Sequence, residues 1–488
     1  MSIDNKSVFS NLIWRYAERF LAQAITFAVS VVLARVLTPY DYGTVALMVV
    51  IINILEVFTS RGFNQALVQK KTIVDIDYST IFWTNMLIEV CLYFVVFMAA
   101  PLIAHYYDNE AITLMIRVFA VRLIISGFNS IQQAYVQRNM MFRKFFYSTL
   151  FGTLFSAVVG LYLAFQGAGP WALIVQSMTN QFVDTTVLFF TINWKPRCQF
   201  SKASLRSMRE FGVRMMFMGL LDSIYVNVRS LVIGKQYSTE QLAFYNQGQK
   251  IPDIVINNTQ TAASNVFFSS LSREKTISDI KNRTRSFMRI MFFCLCPLMV
   301  GIACVSREVI LVLFTDKWLQ STPFMIVFCF AYLTWVPQMP LIQSFLALGK
   351  SKLTLINTTV NRVSGIVVLI IVLNHGPFAI AVGGLITDIL MLFYILIVST
   401  KIIGYKPSEM VDDLLKTIIG TITMVLAIFC VSIFINYNLS PILVLVIKIV
   451  VGIVTYALVE VLIKNQEMRT IINSFIRIVK GNSDEESN

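Results

Sequence analysis

The sequence predicts an all-α polytopic membrane protein with about fourteen transmembrane helices. Of its 488 residues, 56% are hydrophobic and only 14% are charged, and the mean hydropathy is +0.70. Soluble domains carry about 45–50% apolar and about 25% charged residues. The apolar residues also come in long blocks, and about 18 such residues with few charges are enough to span a bilayer. These observations exclude a disordered chain, a nucleic-acid-binding globule and most soluble enzymes.

Each apolar block is separated from the next by a short polar connection. The limits of a span lie where the apolar run meets charged or turn-forming residues. No connection is long enough to hold a soluble catalytic domain. The predicted spans are 12–36, 43–67, 80–104, 111–134, 146–166, 171–193, 211–234, 242–268, 287–312, 322–347, 353–373, 377–400, 414–436 and 441–463.

The two ends of the chain are polar in different ways. Arg15, Glu18 and Arg19 interrupt the first apolar block early, whereas a cleavable signal peptide has an uninterrupted apolar run there. Residues 465–488 place apolar side chains at helical spacing beside Arg469 and Arg477. This spacing predicts a cytoplasmic amphipathic tail on the inner leaflet. For residues 481–488 a frayed end is the open alternative.

The placement of basic residues predicts the orientation. Lys and Arg collect in the connections after even-numbered spans, such as Lys195 and Arg197 after the sixth and Arg273 and Arg283 after the eighth. The connections after odd-numbered spans contain few of them. Because cytoplasmic loops carry the positive excess, we expect both termini to be cytoplasmic. The basic residues of these loops account for much of the net charge of +13. The charge therefore does not indicate binding to nucleic acid.

Three segment matches at nearly one sequence offset predict two six-span halves. The matches are 169–172 with 376–379, 106–108 with 314–316, and 35–38 with 235–238. The alternative is chance similarity among apolar segments. Parallel repeats related by an axis along the membrane normal are a transporter architecture, so we expect a pseudo-two-fold between the halves and a substrate site between them.

The predicted organisation therefore has five parts. They are an N-terminal six-helix lobe at 1–193, a cytoplasmic linker at 194–210, a C-terminal six-helix lobe at 211–402, two additional helices at 403–464, and the amphipathic tail at 465–488.

Ionisable side chains within the spans predict a polar cavity. A charge at the bilayer centre costs roughly 2.5–3.5 kcal/mol on insertion scales, so the deeper charges are expected to face water or a partner. Polar residues recur at three- and four-residue steps from Asn53 to Asn64 on span two and from Lys250 to Ser264 on span eight. The ordinary alternative is a structural ion pair or a snorkelling side chain, and both interpretations stay open for Arg61, which lies near a span end and can snorkel.

The intramembrane charges are mainly positive, which predicts an anionic substrate. Guanidinium groups make bidentate, permanently charged contacts with phosphate. Asp222, which shares a helix face with Arg229, and Glu56 are the candidate sites for H+ or Na+ coupling. The candidate substrate-binding residues are Arg15, Arg19, Arg117, Arg122, Arg229, Lys250 and Asn257.

We expect no catalytic residues, no metal and no cofactor beyond a coupling ion. The two histidines, His105 and His375, are far apart, and the seven cysteines have no framework spacing. The phosphate-binding pattern Gly-x-x-x-x-Gly-Lys-Ser/Thr does not occur, which argues against ATP-driven transport by this chain alone.

Several segments carry a resemblance to a known family. Residues 34–43 read Ala-Arg-Val-Leu-Thr-Pro-Tyr-Asp-Tyr-Gly, residues 167–173 read Gly-Ala-Gly-Pro-Trp-Ala-Leu, and residues 313–318 read Leu-Phe-Thr-Asp-Lys-Trp. With 61–69, 242–252 and 270–273, they resemble polysaccharide flippases of the MOP superfamily, in the WzxC-like and teichuronic-acid-exporter-like branch. The resemblance covers roughly residues 8 to 400. Ala243 stands where that branch commonly has glycine.

The resemblance implies a MOP/MATE-like fold in the bacterial cytoplasmic membrane. It implies a non-enzymatic flippase that moves undecaprenyl-diphosphate-linked oligosaccharides by alternating access for polysaccharide biosynthesis. The implied partners are that lipid-linked oligosaccharide, the lipid bilayer, a polysaccharide polymerase and glycosyltransferases, with no nucleic acid.

Two other functions stay open at this point. A MATE-like, cation-coupled drug or metabolite antiporter would be expected to have twelve spans and a less basic cavity. A membrane polysaccharide polymerase or ligase would be expected to have a large outer loop, which this sequence lacks.

Overall fold

The computed structural model describes residues 5–70, 72–271, 273–274, 276–434 and 439–468; side chains are described from residue 21 onward, except those of 260–262, 265, 266 and 269. Over these residues the chain is helical, joined by short turns. The helices are α1 (Asn5–Val36), α2 (Pro39–Val57), α3 (Asn64–Gln69), α4 (Asp75–Tyr106), α5 (Ile112–Phe119), α6 (Val121–Arg138), α7 (Phe142–Phe165), α8 (Pro170–Thr191), α9 (Lys202–Gln236), α10 (Thr239–Leu271), α11 (Ile277–Cys304), α12 (Ser306–Phe314), α13 (Thr322–Ala347), α14 (Ser351–Val372), α15 (Pro377–Ile403), α16 (Pro407–Phe434) and α17 (Pro441–Leu462).

Every predicted span falls on one helix or on consecutive helical segments. The second span is continuous from α2 through a π-helical segment, Phe58–Phe63, into α3. The ninth is divided at Val305 between α11 and α12. Pro337 and Pro340, which interrupt the backbone hydrogen bonding, lie inside the single helix α13.

Eleven helical stretches in the described part are long and apolar enough to cross a membrane. The predicted count of fourteen is not confirmed by this criterion. The predicted spans that fall outside the eleven lie on α1, α8 and α10. Polar residues lower the hydropathy of α8 and α10, for example Asn180 and Asp184 on α8 and Lys250 and Asp253 on α10.

The repeat matches have similar local structures. Gly169 and Gly376 both have positive φ, at 57° and 98°, and each precedes the proline that begins α8 or α15. Proline suits the first helical position because its missing N–H is not needed there. Thr38 and Ser238 each accept a hydrogen bond from the backbone N–H three residues later, which caps α2 and α10.

The chain divides into two compact units, Met1–Ala243 and Phe244–Asn488. In the first, α7 packs along α1 and α8, and α9 packs along α2 and the π-helical segment. In the second, α13 packs on α11 and α15, and α16 packs on α11 and α17. The five-part division of the sequence, which assigned α9 to the second lobe, stays a prediction.

Ion pairs fix the two additional helices to the rest of the second unit. The guanidinium of Arg285 on α11 contacts both carboxylate oxygens of Asp413 on α16 at 2.8 Å. Lys448 on α17 pairs with Glu308 on α12 at 2.7 Å, and both side chains are nearly buried. Apart from 465–468, the predicted amphipathic tail lies outside the described residues.

Candidate functional site

The first unit contains a cavity of about 1230 Å³. It lies among α1, α2, the π-helical segment, α3, α6, α7 and α8, with Phe211 of α9 on its wall. Pockets for drug-sized ligands usually measure about 300–1,000 Å³. This cavity can therefore hold a larger polar ligand.

Amide and hydroxyl side chains make up most of the described lining. A polar surface of this kind is costly against lipid, so it is placed where the helices enclose a cavity. The amides are Gln23, Asn64, Gln65, Gln69, Asn129, Gln133, Gln137, Gln176, Asn180 and Gln181. The hydroxyls are Thr26, Ser60, Ser126, Ser130, Thr149, Thr153, Ser156 and Ser177.

Helical periodicity directs these side chains to one side. On α6 the lining runs from Arg122 to Gln137 in steps of one, three and four residues, and on α8 it runs from Gln176 to Asp184 in the same way. Close helix contacts hold this wall together. A Cβ atom at Gly152 of α7 would lie 2.9 Å from the carbonyl oxygen of Asn180 on α8.

Arg122 and Glu56 form an ion pair on the cavity wall. The Nε atom of Arg122 lies 3.1 Å from Oε1 of Glu56, and the two side chains are 20% and 17% exposed. The same guanidinium donates to Oε1 of Gln181 at 2.6 Å and to Oγ of Ser177 at 3.0 Å. The positive charge of Arg122 is thus already compensated within the protein.

A second carboxylate on the wall is also held. The Nδ2 atom of Asn129 donates to Oδ2 of Asp184 at 2.8 Å. Deeper in the unit, Asn85 donates to Oδ1 of Asn64 at 3.1 Å and to Oγ of Ser130 at 3.2 Å. These bonds tie α3, α4, α6 and α8 to one another beside the cavity.

The π-helical segment presents Arg61 to the same cavity. Arg61 is exposed and lies on the lining, and its Cβ would be 2.8 Å from a Cβ added at Gly219 of α9. π-helical turns within α-helices are rare and occur frequently at functional sites. The sequence left a snorkelling side chain and a cavity residue open for Arg61, and in the structure Arg61 lies on the cavity wall.

Among the residues predicted to bind substrate or couple an ion, the structure brings Arg122 and Glu56 together. Arg117 on α5 instead contacts α4, where its guanidinium lies 4.4 Å from the ring centre of Phe97. Arg229 and Asp222 both lie on α9, and neither is on the cavity lining that the structure describes. The side chains of Arg15 and Arg19, on α1, lie outside the described residues.

Lys250 and Asn257 belong to the second unit. Asn257 donates to Oδ1 of Asp253 at 2.8 Å, and the same oxygen accepts from the hydroxyl of Tyr332 on α13 at 2.9 Å. Gln249 in turn donates to that hydroxyl at 2.7 Å. The polar stripe predicted on span eight is therefore part of a hydrogen-bond network between α10 and α13.

None of the amides of α6 and α8 that line the cavity was predicted from the sequence. These amides recur at three- and four-residue steps in the sequence. The same pattern predicted the polar face from Asn53 to Asn64 on span two. On these helices only charged side chains were predicted to be site residues, and neutral amides such as Gln137 and Gln176 carry no charge.

Comparisons with known proteins identify the family. A model described as polysaccharide biosynthesis protein matches residues 32–323. The teichuronic acid biosynthesis protein TuaB of Bacillus subtilis is 22% identical over 61% of this chain and 62% of its own length. The succinoglycan biosynthesis transport protein ExoT of Rhizobium meliloti is 22% identical over 66% of this chain and 65% of its own. The chain thus matches slightly less than two-thirds of the length of each.

The fold is that of a solved flippase. The lipid II flippase MurJ, in its inward closed conformation, matches with a TM-score of 0.77 and 16% identity, covering 94% of this chain and all of that one. The predicted all-α membrane fold is thereby confirmed. The chain belongs to the polysaccharide biosynthesis protein family.

Proposed function

We propose that this protein carries undecaprenyl-diphosphate-linked oligosaccharide units across the bacterial cytoplasmic membrane by alternating access. The observation that carries the proposal is the large polar cavity of the first unit, inside a protein with eleven described helical stretches that are long and apolar enough to span a membrane. A lipid-linked sugar needs such a polar compartment for its head group, while its lipid chain can stay in the bilayer. The names of TuaB, ExoT and MurJ support the same class of cargo.

The diphosphate is proposed to contact arginines whose charge no described carboxylate neutralises. Arg61 is the described candidate, because no carboxylate of the described residues pairs with it and it lies on the lining. Arg15 and Arg19 stay candidates from the sequence, as do Arg229 and Lys250. Arg122 contributes less to phosphate binding because Glu56 already pairs with it.

Transport of purified protein in proteoliposomes tests the proposal. We expect flipping of a defined undecaprenyl-diphosphate-linked oligosaccharide, and a loss in Arg61→Gln that exceeds the loss in Arg214→Gln. Arg214 is a suitable control because it lies on α9, is exposed and pairs with Glu210. Losing a hydrogen bond to a charged group costs about 1.5–3 kcal/mol, which is about 10- to 150-fold in affinity.

Two results would overturn the proposal. One is uptake of lipophilic cations without any movement of the lipid-linked sugar, which would favour the MATE-like antiporter. The other is growth of the sugar chain on the lipid, which would favour a polymerase or ligase. A polysaccharide polymerase and glycosyltransferases are the proposed partners in the cell.

Coupling to H+ or Na+ is a further part of the proposal, with Asp222 and Glu56 as candidates. A unit charge moved across 100 mV is worth about 2.3 kcal/mol, enough to bias a two-state cycle. In the same vesicles, Asp222→Asn or Glu56→Gln should abolish the response to an imposed gradient while substrate still binds. A full gradient response in a variant would remove that carboxylate from the coupling site.

A further inference from the structure

We infer that one side of the cavity in the first unit is the binding site for the sugar part of the cargo. We call it the amide wall, and it consists of Asn129, Gln133 and Gln137 of α6 and Gln176, Asn180 and Gln181 of α8. The inference rests on the proposed function and assigns the glycan, separately from the diphosphate, to named side chains.

The chemistry of the amide wall matches a sugar better than a phosphate. A carboxamide offers one acceptor oxygen and two N–H donors, and a sugar hydroxyl both donates and accepts. A diphosphate only accepts and is charged, so carbonyl oxygens beside it would be unfavourable. The lining of α6, α7 and α8 holds one cation, Arg122, and one anion, Asp184, so it contributes no net charge.

Both of those charges are already engaged. Arg122 pairs with Glu56, and Asp184 accepts from Asn129. Oδ1 of Asp184 accepts no hydrogen bond from the described residues and can accept from a hydroxyl group. A cationic ligand would compete with Arg122 for Glu56, and an anionic ligand would compete with Glu56 for Arg122. A neutral ligand rich in hydroxyl groups can bind without breaking either contact.

Several polar groups of the amide wall are free to receive such a ligand. The amides of Gln137 and Gln176 make no hydrogen bond to any other side chain that the structure describes. The Oδ1 atom of Asn129 accepts no hydrogen bond from the described residues, although Asn129 is only 4% exposed. A buried acceptor without a donor is unfavourable, and a sugar hydroxyl or an ordered water would satisfy it.

The dimensions suit a chain of sugars. From Arg122 to Gln137 the lining follows α6 for about 22 Å, at 1.5 Å per residue. The volume of about 1230 Å³ exceeds the roughly 300–1,000 Å³ of pockets for drug-sized ligands. Hydrogen-bonding groups that are spaced along such a length can contact successive sugars, and each can discriminate against a sugar that lacks the matching hydroxyl.

Binding of two related lipids to the purified full-length protein in nanodiscs tests the inference. One probe is undecaprenyl diphosphate without sugar, and the other is undecaprenyl-diphosphate-linked oligosaccharide isolated from the source bacterium. The test variant is the double substitution Gln137→Leu and Gln176→Leu, which removes two amides without breaking a hydrogen bond to another described side chain. Gln166→Leu is the matched control, because Gln166 is an exposed amide at the end of α7 that does not line the cavity.

We expect the double variant to bind the glycosylated lipid about 5- to 150-fold more weakly than wild type, the effect of two ordinary hydrogen bonds. Its affinity for the sugar-free lipid should stay unchanged, and Gln166→Leu should match wild type for both probes. A melting temperature close to that of wild type verifies that the double variant is folded.

The result separates this inference from the proposed function. If wild type transports the glycosylated lipid but the double variant binds both lipids as wild type does, the amide wall is not the sugar site. Equal loss of both lipids in a folded variant, or no preference of wild type for the glycosylated lipid, also overturns the inference. If wild type neither binds nor transports either lipid, the proposed function fails, and this inference fails with it.

Discussion

At the scale of single residues, the pairing of Arg122 with Glu56 changes how the intramembrane charges are understood. The sequence assigned Arg122 to phosphate binding and Glu56 to ion coupling, as two independent sites. In the structure their side chains are 3.1 Å apart and only partly exposed. Each charge therefore stabilises the other in a place where an isolated charge is costly, and either role requires that the pair open during transport.

This pairing predicts a specific pattern of stability. Arg122→Gln and Glu56→Gln should each destabilise the protein, because each leaves the other charge without its partner. Breaking a fully buried pair costs roughly 3–5 kcal/mol, and we expect a smaller loss here because each side chain keeps about a fifth of its area exposed. The double variant should be more stable than the sum of the two losses predicts. Thermal unfolding of the four proteins in detergent measures this coupling.

Additive effects of the two substitutions would show that the ion pair contributes nothing to stability. Arg117→Gln is a suitable control, since Arg117 contacts the ring of Phe97 and no carboxylate of the described residues lies within ion-pair distance of it.

At the scale of elements, close contacts of glycine explain part of the sequence pattern by which the family was identified. Gly43 ends the 34–43 segment and lies in the first turns of α2. A Cβ atom added there would be 1.7 Å from the carbonyl oxygen of Thr239, the first residue of α10. Backbone cannot move aside as a flexible side chain can, so this position requires glycine for packing.

We therefore expect Gly43→Ala to destabilise the protein, although alanine is the better helix former. Overpacking typically costs about 1–3 kcal/mol, and the close approach to backbone favours the upper part of that range. Gly301→Ala on α11 is the matched control, because its Cβ would meet only Met424 at 3.8 Å. Unfolding of both variants in detergent provides the measurement. A Gly43→Ala protein as stable as Gly301→Ala would contradict the predicted contact.

The elements also show which features a single sequence reveals. Helix positions were predictable because each apolar block has the length of a span and because prolines such as Pro170 and Pro377 mark helix starts. The π-helical segment was not predictable, since Phe58–Phe63 has the same apolar character as the α-helices beside it. The amide wall was not predicted because neutral amides carry no charge, and charge was the feature that marked the candidate site residues on these helices.

At the scale of the whole molecule, polar residues inside a helix lower the hydropathy by which a membrane span is recognised. The predicted spans on α8 and α10 do not meet the hydropathy criterion. These helices carry polar residues such as Gln181 on α8, which accepts a hydrogen bond from Arg122, and Asp253 on α10, which accepts one from Tyr332. A helix that lines a cavity has to give up apolar residues on one face. A count from hydropathy alone therefore underestimates the number of spans in a membrane protein most where its interior is most polar.

Orientation depends on a different signal, the distribution of Lys and Arg among the connections. Lys202 lies in a connection rich in basic residues, whereas the turn at His375 contains no Lys or Arg. Both side chains are exposed in the structure. They therefore report on opposite sides of the membrane if the positive excess is cytoplasmic.

We expect a cysteine at position 375 to react with a membrane-impermeant maleimide in intact cells, and one at position 202 to react only after the membrane is opened. Cys91, Cys198, Cys294 and Cys430 are exposed, so His375→Cys and Lys202→Cys belong in a background from which all seven native cysteines have been removed. The reversed pattern would place both termini outside and would show that the basic connections do not determine the orientation. Reaction of both positions in intact cells would contradict the alternation of the spans itself, because the segment from α9 to α14 must cross the membrane an odd number of times for the two sites to differ.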